Sequence, residues 1–237
     1  MRNDLPFRNE LKYLISYADY ALVRLRLGSL LRPDEHAGPT GVYTVRSLYF
    51  DDYFNRAYAE KYGGFIDRQK YRVRLYNQSE AVIRLERKVK HNQHIYKESA
   101  PLTRCEVEQL QQGCHGFLLD GACGLRQRFY YECSANLMRP RVIVDYEREA
   151  YMLEAGDVRI TFDRNVRAGV DGLDLFDCGL SMLETLEPGK LVMEIKFRGF
   201  LPDVVRMLLP RGAVEFSAVS KYVLSCDKTL FMRRSSF

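Results

Sequence analysis

Cationic side chains alternate with other residues in the segment KYRVRLYNQSEAVIRLERKVK, residues 70–90. Side chains at positions i and i+2 of an extended strand share a face, so Lys70, Arg72 and Arg74 point the same way. A polar turn separates this run from a second one, whose shared face carries Arg84, Glu86, Lys88 and Lys90. Like charges about 7 Å apart repel each other. The pattern therefore predicts two strands whose charged face is either solvated or binds an anion.

Three further segments, FRNELKYLI, VRITFD and LVMEIKFRG, repeat the alternation with a mainly apolar side opposite the charged one. Their polar positions are Arg8, Glu10, Lys12, Arg159, Thr161, Asp163, Glu194, Lys196 and Arg198. The alternating positions of these five strand faces, two in residues 70–90 and one in each further segment, carry eleven cations and four acids. Their net charge is +7, whereas the whole chain carries only +5. Positive charge is therefore concentrated on strand faces.

Phosphate chains are the ligand chemistry that fits such faces, because Arg forks bind phosphate oxygens in bidentate fashion and Lys adds a point charge. The interspersed acids Glu10, Glu86, Asp163 and Glu194 have two interpretations. They bind a divalent cation, since Mg²⁺ and Mn²⁺ take carboxylate and phosphate oxygens together, or they pair with the neighbouring cations. For Glu10 and Glu86 the sequence supports ion pairing at least as well as metal binding.

The elements that must position these side chains alternate between strands and helices. Ser16 and the capping-box spacing of Thr103 and Glu106 predict the starts of two helices. Further helices are predicted in LRQRFYYECSANL, LPDVVRMLL and SKYVLSCDKTLFM, and loops at 32–41 and 168–179. This mixture predicts an α+β fold with a largely antiparallel sheet. If helices cover the apolar strand faces, the charged faces point to bulk water or into the lumen of a closed barrel.

The composition fits one domain, residues 1–237, with 46% hydrophobic residues for a core. No run of eighteen apolar residues occurs, and the start MRNDLPFRNE lacks the apolar stretch of a signal peptide. We therefore expect a cytoplasmic protein without a transmembrane segment. The six cysteines and four histidines show no metal-finger spacing, so reduced thiols are expected.

An ordered set of motifs resembles the VTC domain of the vacuolar transporter chaperone, within the CYTH-like triphosphate tunnel metalloenzymes. The motifs are RNELKYLI, VRSLYFDD, KYRVRLY, LERKVK, VIVDYEREAY, VRITFDRNVRA, VMEIKFRGFLP and FSAVSKYVLS, and the resemblance covers roughly residues 7–231. It implies an antiparallel eight-stranded β-barrel tunnel with helices packed on its outside. It also implies binding of ATP or triphosphate with Mn²⁺ or Mg²⁺, and synthesis of inorganic polyphosphate from the γ-phosphate of ATP.

The resemblance also assigns roles to residues. Phosphate binding falls to Lys12, Arg72, Arg74, Lys88, Lys97, Arg148, Arg159, Lys196, Ser217 and Lys221. Metal binding falls to Glu194, with Glu10 and Asp163 as further candidates that could orient a cation or a water. The expected catalytic residues are Arg72, Arg74, Lys88, Lys196 and Glu194. Many relatives in the wider superfamily have a glutamate where Arg8 stands, and this departure disfavours a two-metal hydrolase.

Three functions stay open. The leading prediction is a metal-dependent phosphotransferase that lengthens polyphosphate at the expense of ATP, and the second is a hydrolase of triphosphate or short polyphosphate. The third is a catalytically inactive module that only binds polyanions. Specific binding of nucleic acid is disfavoured, because such a module has little use for acids among its cations. Phosphoryl transfer depends mostly on positioning and charge neutralisation, so no Ser-His-Asp arrangement is required.

Overall fold

The computed structural model describes residues 9–28, 30–34, 38, 40–91, 94–121, 123–210 and 219–234. Within these ranges the chain forms ten strands and six helices. The strands are β1 (Asn9–Ser16), β2 (Arg32–Pro33), β3 (Val42–Asp51), β4 (Asp67–Tyr76), β5 (Ser79–His91), β6 (His94–Leu102), β7 (Arg139–Leu153), β8 (Val158–Gly169), β9 (Met182–Glu184) and β10 (Lys190–Phe197). The helices are α1 (Tyr17–Leu27), α2 (Arg56–Tyr62), α3 (Arg104–Gln111), α4 (Gly124–Ala135), α5 (Asp203–Leu208) and α6 (Lys221–Arg234).

Eight strands follow one another in the sheet in the order β1-β10-β8-β7-β3-β4-β5-β6, and the short strands β2 and β9 pair with β7 and β8 beside this path. The predicted α+β class and antiparallel sheet are confirmed. A barrel requires the first and last strands to pair. Among the described residues the path has two ends, β1 and β6, so the sheet is open and the closed barrel of the prediction is corrected.

The chain divides into two compact units. Unit 1 comprises residues 1–44, 146–166 and 186–219, and unit 2 comprises residues 45–145, 167–185 and 220–237. Unit 1 contains the strand order β1-β10-β8-β7, and unit 2 contains β7-β3-β4-β5-β6. Each unit has a hydrophobic core of its own.

In unit 1, α1 and α5 cover the apolar side of the strands. Ser16 begins α1 as predicted, because its hydroxyl accepts a hydrogen bond from the Asp19 amide in a capping box. The buried side of α1 places Val23 and Leu27 in one core with Phe162 of β8. Alternate apolar residues of β1, β8 and β10 form the side of this core that faces the helices, as the period of two in the sequence predicts.

In unit 2, α3 and α4 pack on the apolar side of the strands. Thr103 and Glu106 form the predicted capping box at the start of α3. The ring of Phe129 in α4 stacks on Tyr71 of β4, with 5.0 Å between the ring centroids. The apolar residues that alternate with the charged positions of β4 and β5 are buried in the same core: Val73, Leu75, Ile83 and Leu85. Burial of these residues leaves the charged side of the two strands on the opposite face.

Polar side chains join α6 to the rest of unit 2. The Tyr222 hydroxyl donates to the buried Asp51 carboxylate at the end of β3, and the Tyr58 hydroxyl of α2 donates to Asp227. Asp51 also accepts the backbone N–H groups of Ala57 and Tyr58, so this carboxylate links the start of α2 to α6. No helix within the described ranges is both long enough and apolar enough to cross a membrane.

Candidate functional site

The charged face of unit 2 is set by the register of four strands. Tyr49 of β3 lies opposite Arg72 of β4, which in turn lies opposite Glu86 of β5. The adjacent row consists of three directly opposed lysines: Lys70, Lys88 and Lys97. Directly opposed side chains share a face, with Cβ atoms about 4.5–5.5 Å apart. The register therefore brings together four phosphate-binding candidates: Arg72, Arg74, Lys88 and Lys97.

Glu86 is the carboxylate that organises this face. Its side chain is only 2% exposed, and its Oε2 lies 2.8 Å from Arg72 Nε and 2.7 Å from Arg72 Nη2. Its Oε1 lies 2.9 Å from Lys97 Nζ, and Arg74 Nη1 is 3.7 Å from Oε2. Burial alone raises the pKa of Glu86, but the three cations outweigh burial and hold this pKa well below its ordinary range. Of its two interpretations, the geometry supports ion pairing.

Neutral groups of β3 orient the two arginines further. Arg72 Nη1 donates to the Tyr49 hydroxyl at 2.9 Å, and Arg74 Nε donates to Ser47 Oγ at 3.3 Å. Burial raises the pKa of Tyr49, yet the positive charges of Arg72 and Arg74 outweigh burial and lower it. The guanidinium side chains are 18% and 8% exposed, so neither lies on an open surface. Both are held in place before a ligand binds, which reduces the entropy cost of binding.

The start of α6 contributes to the same face. Lys70 Nζ donates to Ser220 Oγ at 2.8 Å, immediately before the first residue of α6. Burial raises the pKa of Tyr49, and the two arginines make the largest contributions that lower it. The first residue of α6, Lys221, makes a smaller contribution in the same direction as the arginines. The phosphate-binding candidate Lys221 is therefore close to the arginine cluster. The candidate Ser217 lies outside the described residues.

The charged face of unit 1 consists of two rows of side chains on three neighbouring strands. One row of directly opposed residues on β1, β10 and β8 is Lys12, Glu194 and Thr161. The adjacent row is Glu10, Lys196 and Arg159. The register therefore brings together all the sequence-predicted site residues of these three strands except Asp163, which is two residues beyond Thr161 on the same side of β8.

Lys12 lies between two carboxylates. Its Nζ is 2.8 Å from Glu10 Oε1 and 3.4 Å from Glu194 Oε2, and Lys196 Nζ is 2.7 Å from Glu194 Oε1. Burial lowers the pKa of Lys12, but the charges of Glu10 and Glu194 outweigh burial and raise it above its ordinary value. Lys12 is therefore charged at neutral pH, and two carboxylates converge on one cation.

The same two carboxylates fit a divalent metal. Glu10 and Glu194 both approach the ammonium group of Lys12, so the two carboxylates already meet at one cation. Proteins commonly hold Mg²⁺ with one or two carboxylates plus the phosphates of a substrate. In the described part of the chain, no three His, Cys, Asp or Glu side chains form a metal-binding group by themselves. The donor set fits a metal that binds together with phosphate, and the metal roles of Glu194 and Glu10 stay predictions.

Arg148 and Asp163 form a buried bidentate pair. Arg148 Nε and Nη2 lie 2.6 and 2.8 Å from the two oxygens of Asp163. Burial lowers the pKa of Arg148, and the charge of Asp163 outweighs burial and raises it. Arg159 donates in a similar way to Asp34 at 2.6 Å and to the Tyr43 hydroxyl at 3.0 Å. Because both Asp163 oxygens bind one guanidinium, the geometry favours an ion pair over a metal ligand there, and the phosphate roles of both arginines stay predictions.

Sequence reasoning missed several residues that contact the candidates or lie directly opposite one of them: Ser47, Tyr49, Asp34, Tyr43 and Lys70. Ser47 and Tyr49 alternate within VRSLYFDD, and this spacing was a signal for a shared strand face. Lys70 begins the alternation that includes Arg72, so the same signal applied to it. Asp34 lies in a segment rich in Pro and Gly without periodicity, and no sequence pattern pointed to it.

A protein-family model tests the resemblance. The model of the VTC domain matches residues 7–230. The chain belongs to the VTC domain family. The predicted resemblance is thereby confirmed, and the match includes every candidate residue of both charged faces. No curated protein matches this VTC domain in sequence.

Solved structures share the fold of this VTC domain. A Hippeastrum protein, described as an adenylyl cyclase candidate with a dominant triphosphatase activity, has a TM-score of 0.55 at 12% identity, covering 94% of this chain and 96% of that chain. A Bacillus halodurans protein, described as an adenylate cyclase candidate, has a TM-score of 0.49 at 14% identity, covering 86% of each chain. At such identities the likeness to the Hippeastrum protein shows the fold alone.

Proposed function

We propose that this VTC domain transfers the γ-phosphate of ATP onto a growing inorganic polyphosphate chain, together with Mn²⁺ or Mg²⁺. Membership of the family supports a phosphoryl function of the triphosphate-tunnel type, for which a divalent metal is implied. The observation that carries the proposal is the excess of cations on the unit 2 face. Three opposed lysines and two arginines share that face with Glu86, the single carboxylate of the alternating pattern there. A ligand with several adjacent negative charges compensates this excess.

The contacts within each face support the roles that we propose for its residues. Arg72 and Arg74 bind the non-bridging oxygens of the transferred group, because their guanidinium planes are already oriented. Three lysines neutralise further phosphate oxygens, Lys88 on the unit 2 face and Lys12 and Lys196 on the unit 1 face. Glu194, with Glu10 beside it, holds the metal, which supplies Lewis-acid neutralisation of phosphate charge when bound. The remaining phosphate-binding candidates add positive charge to each face separately, Lys97 and Lys221 in unit 2 and Arg148 and Arg159 in unit 1.

The nature of the nucleophile supports a polymerase over a hydrolase. In the transfer, a terminal oxygen of polyphosphate forms a bond to the γ-phosphorus, and the bond from this phosphorus to the bridging oxygen of ADP breaks. The attacking oxygen is already anionic and needs no base, whereas water does. The four acids of the alternating pattern each contact a cation: Glu10, Glu86, Asp163 and Glu194. For Glu86 these cations hold the pKa below its ordinary range, which makes this carboxylate a weak base.

Hydrolysis of triphosphate or short polyphosphate is the second candidate. The Hippeastrum protein that shares this fold is described as having a dominant triphosphatase activity. Both candidates use the same phosphate-binding and metal-binding groups and differ only in the nucleophile. A chain that binds its substrate on these faces but lacks a polyphosphate acceptor would transfer the phosphoryl group to water.

The test incubates the purified chain with ATP and Mn²⁺ and separates the products on a polyphosphate gel. We expect a ladder of products with the wild type and with Arg104→Ala, and none with Arg72→Ala. Arg104 is the matched control, because it is an exposed arginine of α3 that pairs with Glu80 and Glu108. Free phosphate without a ladder would contradict the polymerase proposal and support the hydrolase. Triphosphate binding without ATP consumption would leave only a polyanion-binding module.

A further inference from the structure

Thr161 has a buried hydroxyl group that lacks a hydrogen-bond partner in the described part of the chain. The residue is only 2% exposed, and its Oγ1 makes no hydrogen bond to any of the described residues. Leaving a buried hydroxyl unsatisfied destabilises a fold, and native proteins retain few such groups. A valine has nearly the same shape and would avoid this cost. The hydroxyl of Thr161 therefore requires an explanation.

Its position in the unit 1 face suggests that explanation. Arg159 and Asp163 flank Thr161 on the same side of β8, at the alternate positions of the strand. Glu194 of β10 lies directly opposite Thr161, and Lys12 of β1 lies directly opposite Glu194. Opposed residues have Cβ atoms about 4.5–5.5 Å apart. The carboxylate proposed to hold the metal is therefore within reach of the Thr161 hydroxyl.

Two lysines form salt bridges with the Glu194 carboxylate in the structure. Glu194 Oε1 lies 2.7 Å from Lys196 Nζ, and Oε2 lies 3.4 Å from Lys12 Nζ. A phosphate chain competes for both ammonium groups, since it offers several charged oxygens to each. Each lysine that turns to phosphate gives up its contact with one oxygen of Glu194. That oxygen can then accept from the Thr161 hydroxyl, which has no other partner among the described residues.

We propose that Thr161 is a positioning residue for Glu194. Its hydroxyl donates a hydrogen bond to the Glu194 carboxylate once phosphate draws Lys12 and Lys196 away, and this bond fixes the carboxylate for metal binding. The inference rests on the proposed function, because it requires phosphate and a metal to bind on this face. It accounts for the unsatisfied hydroxyl, since the partner becomes available only with the substrate.

Three variants separate this role from simple packing. Thr161→Val removes the hydroxyl at nearly constant shape, and Thr161→Ser retains it. Thr229→Val is the matched control, because the buried Thr229 hydroxyl already donates to the Ser225 carbonyl at 3.0 Å. Without ligand, we expect Thr161→Val to raise the melting temperature by about 2–4 °C, Thr161→Ser to cause no rise and Thr229→Val to lower it.

The second measurement titrates Mn²⁺ in the presence of triphosphate and follows the rise in melting temperature. Thr161→Val should need about tenfold more Mn²⁺ for half of the full effect, the size expected for a hydrogen bond to a charged group. Thr161→Ser should restore the wild-type dependence to within about threefold, and Thr229→Val should leave it unchanged. In ATP turnover, Thr161→Val should lower kcat at limiting Mn²⁺ with little change in KM.

Each outcome bears on the inference. A Thr161→Val protein that is more stable but has the wild-type Mn²⁺ dependence would show that the hydroxyl is only a packing defect, and the inference would be wrong. A lower melting temperature without ligand would mean that the hydroxyl is bonded in the unliganded chain, which also overturns it. If triphosphate with Mn²⁺ fails to stabilise even the wild type, the proposed function fails and the inference fails with it.

Discussion

The two charged faces balance their charges in different ways. In unit 2, Glu86 alone contacts three cations: Arg72, Arg74 and Lys97. In unit 1, four cations each contact an acidic partner, in the pairs Lys12 with Glu10, Lys196 with Glu194, Arg148 with Asp163 and Arg159 with Asp34. Unit 2 therefore supplies an excess of positive charge that suits phosphate. Unit 1 supplies the carboxylates that a metal needs.

Replacing Glu86 by glutamine should cause the largest loss of stability among these variants, because it removes the carboxylate on which the unit 2 face depends. The amide cannot neutralise Arg72, Arg74 and Lys97, and removal of one partner from a buried ion pair costs about 3–5 kcal/mol of unfolding free energy. Urea unfolding measures the loss. Glu98→Gln is the control, because Glu98 pairs with Arg87 and Arg128 at a more exposed position and should cost less than about 1 kcal/mol. Equal urea midpoints for Glu86→Gln and wild type would show that this face does not depend on its carboxylate.

The stability that Glu86 contributes through its three cations should depend on pH. The pKa of Glu86 is lowered from an ordinary value of 4.5, so its contribution to stability is fully present above that value and is lost as the pH falls through the lowered pKa. The difference in stability between wild type and Glu86→Gln should stay constant between about pH 5 and 8 and shrink in more acidic buffers. A difference that grows on acidification would contradict the ion-pair assignment.

Triphosphate should stabilise the chain strongly, because the alternating positions of the unit 2 face carry more cations than carboxylates. At a hundredfold excess over its dissociation constant, the expected gain is about 2.7 kcal/mol of unfolding free energy. Thermal melting with increasing triphosphate measures it, with Arg74→Ala as a variant that should shift the response to higher concentration. An unchanged melting temperature at saturating triphosphate would remove the basis for assigning phosphate to this face.

Removing one arginine of unit 2 should weaken binding and chemistry together. Arg74→Ala deletes a guanidinium that binds phosphate before and during transfer. We expect a loss of about 1.5–3 kcal/mol both in the free energy of triphosphate binding and in the stabilisation of the transition state. Calorimetry with triphosphate gives the affinity, and ATP consumption gives the rate. Arg104→Ala, which removes an exposed arginine of α3, should change neither quantity. A rate that falls while affinity is unchanged would mean that Arg74 acts only in the transition state.

The smallest expected effect concerns the orientation of Arg72. Tyr49→Phe removes the hydroxyl that accepts from Arg72 Nη1 and leaves the pairing with Glu86 in place. The expected loss in kcat/KM is about 0.5–1.5 kcal/mol, the net value of one hydrogen bond. Steady-state kinetics on this variant shows whether the arginine is held by Glu86 alone, in which case kcat/KM would equal that of the wild type.

The alternation in the sequence was sufficient to predict the strands and the residues that share each charged face, because a period of two determines side-chain direction. It was not sufficient to predict the partners. Glu86 meets Lys97 because β5 pairs with β6 in one particular register, and Arg159 meets Asp34 although 125 positions separate them. Such contacts depend on strand pairing and on the course of a loop without periodicity. For that reason the acids of unit 2 and unit 1 looked alike in the sequence.

The division of roles between the two faces predicts that Glu194→Gln separates binding from chemistry. The change removes a charge of unit 1 at nearly constant shape and leaves the cations of unit 2 untouched. Calorimetry of triphosphate binding, measured beside Mn²⁺-dependent ATP consumption, is the most direct test. We expect binding at least as tight as in the wild type and a collapse of ATP consumption. Normal ATP consumption in this variant, or a loss of binding that parallels the loss of rate, would contradict the assignment of the metal to Glu194.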